Sequence, residues 1–145
     1  MSARLTKPSP RCKSAALALV VAICSTPPLA NAAEKMTPSA LRDCVRAAGT
    51  AAGVAECEAR HQQWLRERIE TLTGTLRKQL PPAQHPLLDR NVTAWNSYFD
   101  REVELLDLTL KSRSDGLASR LRPGVISRLL EQREQQLREY VHNLK

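Results

Sequence analysis

The chain has 145 residues, enough for one hydrophobic core plus a tail but tight for two. Hydrophobic residues make up 42% and charged residues 26%, an ordinary globular composition. Aromatics are only 3% (Trp64, Trp95, Tyr98, Phe99 and Tyr140), which argues against a stacking groove for bases or sugars, and five glycines leave little for a glycine-rich phosphate loop.

Residues 1–14 carry Arg4, Lys7, Arg11 and Lys13 and no acid. An apolar run from Ala15 to Cys24 follows, then Pro27, Pro28 and Ala30-Asn31-Ala32. A basic start, a short apolar stretch and an A-x-A site are the parts of a secretory signal. The expected organisation is therefore a signal peptide over 1–32, cleaved between Ala32 and Ala33, and a single helical domain over 33–145. The apolar run is about ten residues, half of the roughly 20 a membrane-spanning helix needs. Lipid anchoring at Cys24 is the alternative, and it is disfavoured because Val21-Ala22-Ile23 sets a β-branched residue where a small one is wanted. The expected location is the periplasm or the medium, without stable membrane insertion.

Cleavage would change the charge. Residues 1–32 hold four cations and no acid, so the formal charge falls from +7 to +3. A nucleic-acid reading loses its main support. The remaining cations are mostly Arg, but acids are interleaved with them, as in Arg66-Glu67-Arg68 and Asp100-Arg101-Glu102. That pattern reads first as a solvated helix face. Cys12 and Cys24 belong to the signal, which leaves Cys44 and Cys57. An even count in an exported chain makes a disulfide the default. A separation of 13 residues is too wide for CxxC redox chemistry.

Thr37-Pro38 supplies a capping hydroxyl followed by proline at the first helical position. A short helix through Leu41, Cys44 and Val45 should follow, with a turn in the small-residue stretch from Ala47 to Ala55. From Glu56 to about Leu80, Leu65, Ile69, Leu72, Leu76 and Leu80 recur at helical steps. Pro81-Pro82 ends that helix, and Pro86 can open the next. There Leu88, Val92, Trp95, Phe99, Val103, Leu106 and Leu110 form the longest periodic stripe in the chain. Residues 111–124 turn polar and read as a loop with at most one helical turn near Leu117 and Leu121. A last helix should run from about Val125 to Asn143 on Ile126, Leu129, Leu130, Leu137, Tyr140, Val141 and Leu144, with Arg133 in a core-facing phase. No segment alternates with period two. The predicted fold is all-α: a small bundle of three longer helices plus a short N-terminal helix tied by one disulfide.

Chemistry is sparse. No G-x-S-x-G, H-E-x-x-H or G-x-x-x-x-G-K occurs. His61 lies four residues after Cys57, but that cysteine is better assigned to the disulfide, so no metal site and no cofactor are expected. His85 reads as exposed in a turn. Asp100, Glu102, Glu104 and Asp107 could supply paired carboxylates, yet Asp100 and Glu104 are i,i+4 neighbours beside Arg101 and Arg90, which reads as surface ion pairing. Asn91-Val92-Thr93 fits a glycosylation sequon but falls inside the strongest helix. The reading is non-enzymatic.

The order of these parts resembles the LprI-type lysozyme inhibitors, a family of small exported α-helical domains, over about residues 40–141. Asp43-Cys44 and Glu56-Cys57 are similar to its paired D-C and E-C elements. Trp95-x-x-Tyr98 followed by Asp100 is similar to its W-x-x-Y-R-D motif, and Leu130, Gln132, Arg133, Leu137 and Tyr140 to its closing helix. Phe99 stands where the family has Arg. Val103 stands where the family usually has a cysteine, and that cysteine's partner falls near Val125, so an apolar pair would replace a second disulfide. The resemblance implies non-covalent binding to a protein partner such as a lysozyme. An inhibitor works by filling a cleft that presents two carboxylates, and Arg113, Arg120 and Arg122 of the polar 111–124 segment are the candidate plug. A charge of +3 would not steer the protein toward a basic lysozyme. The alternative is therefore an interaction module of the cell envelope with a different protein partner.

Overall fold

The computed structural model describes residues 36–111 and 117–144, which fall within one compact unit, Asn31–Lys145. The expected signal segment with Cys24, the expected cleavage point between Ala32 and Ala33, and Arg113 lie outside the described residues. Four helices follow in order: α1 (Pro38–Ala47), α2 (Ala51–Gln79), α3 (His85–Lys111) and α4 (Leu117–Asn143), with a 3-10 turn, Pro82–Gln84, between α2 and α3. Among the described residues there is no strand.

The ends of α1 follow its sequence. Thr37 caps it, its hydroxyl accepting the Ala40 N–H at 3.3 Å, and Pro38 occupies the first turn. The chain leaves through Gly49, whose φ of +61° lies in the left-handed region that glycine tolerates. Thr50 then caps α2 by accepting the Gly53 N–H at 3.1 Å. The expected turn is thus confined to 48–50, and α2 begins at Ala51, five residues before the expected start at Glu56. Gly53 sits inside the helix, where a Cβ would come within 3.0 Å of the Ala48 carbonyl oxygen and Cβ. Cys44 and Cys57 form a disulfide across this corner, with Cα atoms 5.9 Å apart. In the chain-entropy picture, closing such a loop contributes about 3 kcal/mol.

The packing register emerges from the side-chain ties. Glu58 meets Ser127, His61 meets Glu131 and Arg68 meets Glu134, a near-constant offset, so α2 and α4 run parallel. Arg66 over Phe99 and Arg77 to Asp89 set α3 antiparallel to α2, while Arg122 to Asp107 and Arg133 to Asn91 set it antiparallel to α4. The result is an up-down-up bundle whose most extensive interface joins its first and last long helices.

The apolar core has two layers. Leu65, Phe99, Ile126 and Leu130 form one, flanked by Trp64, Trp95, Val103 and Leu106. Leu72, Leu76, Leu88 and Leu137 form the other, and Ile69 packs against both. Leu130 and Leu137 are wholly buried. The stripes expected on α2 and α3 supply these layers. On α4 the stripe departs from expectation at its end, where Tyr140 and Leu144 are 42% and 46% exposed.

The expected loop over 111–124 is overturned at Lys111, which ends α3, and from Leu117 onward, where the single helical turn expected near Leu117 and Leu121 is the start of a long helix; residues 112–116 lie outside the described residues. α4 starts at Leu117, and Pro123 lies inside it. An interior proline costs a helix about 3 kcal/mol by removing an N–H and crowding the preceding turn. Here neighbouring contacts offset part of that cost: the Gln62 amide donates to the Pro123 carbonyl at 2.9 Å, and Arg122 binds both carboxylate oxygens of Asp107 at 2.6 and 3.0 Å. The four-residue step from Leu117 through Leu121 to Val125 continues the α4 spacing upstream.

Candidate functional site

Arg133 sits on α4 between Leu130 and Leu137, so the helix carries it into the seam between the two apolar layers, where it is 3% exposed. One guanidinium nitrogen donates to Gln136 Oε1 and the other to Asn91 Oδ1, both at 2.8 Å. Its Nε has no hydrogen-bond partner. The guanidinium lies 5.4 Å from the centre of the Trp95 ring; Trp95 stacks on Phe99 at 5.3 Å, and Arg66 covers Phe99 at 5.0 Å. A stacked pair of rings on α3 is thus capped at one side by a cation from α4 and at the other by a cation from α2, each meeting an electron-rich face. Burial pulls the Arg133 pKa below the ordinary guanidinium range, a pull that Tyr140 opposes. Asn91 is committed to Arg133, so the sequon at 91–93 is part of the bundle's polar seam.

A second polar centre forms where α1, α2 and α4 meet. His61 is fully buried. Its Nδ1 lies 2.7 Å from the Met36 carbonyl oxygen and its Nε2 lies 2.8 Å from Glu131 Oε1. A carbonyl can only accept, so Nδ1 carries a proton. The second bond takes its proton from either the ring or the carboxyl. The ring stacks on Trp64 at 5.8 Å. Beside it, Glu134 is 7% exposed and holds Arg68 at 3.3 Å and Arg138 at 3.0 Å. These groups line an open cleft of about 520 Å³.

The residues singled out by sequence are dispersed. Trp95, Arg133 and Leu137 point inward. Tyr98 is 48% exposed and Asp100 is exposed, so the W-x-x-Y motif is split between the core side and the outer side of α3. Val103 packs on the core and Val125 is half-buried on α4. Arg120 and Arg122 stand on the first turns of α4, a helix and not a plug-like loop, because α4 extends upstream of Pro123. Arg122 is committed to Asp107, whose carboxyl is held below its usual range by the Arg122 hydrogen bonds. The expected pairing of Asp100 and Glu104 with Arg90 and Arg101 is also overturned: among the described residues, α3 pairs instead through Asp89 to Arg77 and Asp107 to Arg122. Of the intervening carboxylates, Asp100 and Glu104 are exposed and Glu102 is half-buried, and none is in an ion pair among the described residues. His85 is half-buried, and its Nε2 lies 3.2 Å from the Leu80 carbonyl, closing the end of α2. His61 is the residue the sequence reading undervalued. Its signal was present, since Cys57, His61 and Leu65 continue the α2 stripe at four-residue steps.

Among the described residues, no group of three or more His, Cys, Asp or Glu side chains is placed to hold a metal, and no helix is long and apolar enough to cross a membrane. The fold and these two centres define an all-α, disulfide-clasped helical bundle with buried polar ties. Comparison with protein-family models, with curated proteins and with solved structures returns no match.

Proposed function

We propose that the protein is an exported binding protein that acts by non-covalent association with a protein target, the target implied by the family resemblance being a lysozyme. The observation that carries this reading is the contact between Trp95 and Arg133. The two belong to separate segments of the resemblance, and they meet in one stack, as residues shared for a common architecture would. The disulfide between the D-C and E-C elements adds to this support. A rigid helical body clasped at one corner suits occlusion, which needs shape and no bond-making group. Of the candidate plug residues among those described, Arg122 is held by Asp107 and Arg120 is exposed on the first turn of α4, placed to enter a carboxylate-lined cleft.

The test is direct. The purified, disulfide-bonded protein should suppress lysis by at least one lysozyme type at stoichiometric amounts, and Arg120→Ala should weaken that suppression. No inhibition of any type at large excess removes the lysozyme reading. The second reading, an envelope interaction module with a different partner, is favoured by the charge of +3 left after signal removal. Pull-down from periplasmic extract that recovers no partner counts against it.

A further inference from the structure

α3 spends one face on the bundle and leaves another uncovered. Leu87, Ala94, Tyr98, Leu105 and Leu108 fall at steps of seven, four, seven and three, the spacing of a coiled-coil seam whose two other positions are held by Asn91, turned to Arg133, and Arg101. All are exposed, with Leu87 and Leu108 at 62%, Leu105 at 56% and Tyr98 at 48%. Single exposed leucines are ordinary on a protein surface, but a row along a whole helix marks an interaction face. At 3.6 residues per turn the row lies about 130° round α3 from the stripe that faces the core. Arg90, Ser97 and Glu104 follow one edge of it at seven-residue intervals. Among the described residues, neither Arg90 nor Glu104 has an ion-pair partner within the chain.

We propose that this face docks on the same face of a second copy of the chain, antiparallel, about a two-fold axis at Ser97. The charge pattern selects that partner. A two-fold interface must be complementary to itself, and a turn about Ser97 brings Arg90 of each copy opposite Glu104 of the other. The same operation sets Leu87 of one copy between Leu105 and Leu108 of the second, and Ala94 near Tyr98. A parallel, in-register pairing would oppose Arg90 to the Trp95 position and leave both charges unmatched. The edge charges, the apolar row and the symmetry therefore agree on one arrangement. It holds whether or not the protein binds a lysozyme.

Sedimentation equilibrium of the purified, disulfide-bonded protein tests this. The apparent mass should rise with concentration to that of two chains. Joint Leu105→Glu and Leu108→Glu substitution should leave a monomer with unchanged helical circular dichroism, because both side chains lie outside the core. Arg90→Glu and Glu104→Arg should each weaken dimerisation about tenfold, and the two together should restore it, as matched charges across an interface do. Ser97→Cys should cross-link the two copies to each other. A protein that stays monomeric to millimolar concentration overturns the proposal. So does a dimer that survives the paired leucine changes, or charge reversals that do not rescue each other.

Discussion

The α2–α4 interface and the attachment of α3 are built differently. α2 and α4 lie side by side with polar ties along their length: Glu58 to Ser127, Gln62 to Pro123, His61 to Glu131 and Arg68 to Glu134. α3 joins through large rings, Trp95 and Phe99, and through ion pairs nearer its ends, Asp89 to Arg77 and Asp107 to Arg122. Directional bonds fix the relative height of two helices, whereas apolar burial only asks that surfaces meet. The first pair is therefore a spine tied at short intervals along its length, whereas the third helix takes its register mainly from ties near its ends and from Asn91, and leaves its outer row available.

The largest expected effect probes the spine. Leu130→Ala or Leu137→Ala, each removing a fully buried side chain of α4, should cost about 2–5 kcal/mol by chemical denaturation. Values under 1 kcal/mol would mean the layers are not packed as described. Replacing both Cys44 and Cys57 by Ser should cost about 3 kcal/mol and loosen only the α1 corner, seen as faster amide exchange in Pro38–Ala47. His61→Leu comes next. It leaves the Met36 carbonyl without its donor and Glu131 without its ring partner, at about 1–3 kcal/mol, and limited proteolysis should then cut near Met36.

The seam offers a sharper contrast. Arg133→Met should be neutral or slightly stabilising, since an apolar side chain of similar length replaces a buried cation that lacks a carboxylate partner. Arg133→Ala should lose about 3 kcal/mol through the cavity it leaves beside Trp95. If both variants lose equally, the charge itself holds the seam.

The smallest effect lies at Asp107. Its carboxyl titrates below the ordinary value of 3.8 because of Arg122. A carboxyl with a depressed folded-state pKa adds stability that is present above the unfolded value and is lost as pH falls through the folded one. Asp107→Asn should abolish only that acid-side component. Carboxyl NMR titration that finds Asp107 at or above 3.8 would break the pairing.

Most of the architecture was legible in the sequence because helical stripes are local. Leu65 to Leu80 and Leu88 to Leu110 read directly as core faces, and Thr37-Pro38 read as a helix start. The parallel pairing of α2 with α4 was not legible. It depends on partners some 65–70 residues apart, such as His61 and Glu131, and no local pattern records which of two amphipathic helices another will meet. Pro123 misled for a related reason. A proline reads as a helix breaker until a tertiary donor such as Gln62 is seen to support its turn. Of the site residues, Arg133 could be seen at a core-facing phase, but its partners Asn91 and Trp95 lie on another helix.

The parallel spine also dictates an order of events. A helix whose main partner is the last one made cannot bury its stripe while the chain is still emerging. α2 and α3 alone would present Leu65, Leu72 and Leu76 only partly covered, without Leu130 and Leu137 to close over them. The core should therefore assemble late and in a single cooperative step, after the final helix is free. Nascent chains stalled before residue 130 should stay sensitive to protease and available to chaperones, and those released after Lys145 should gain protection in one step.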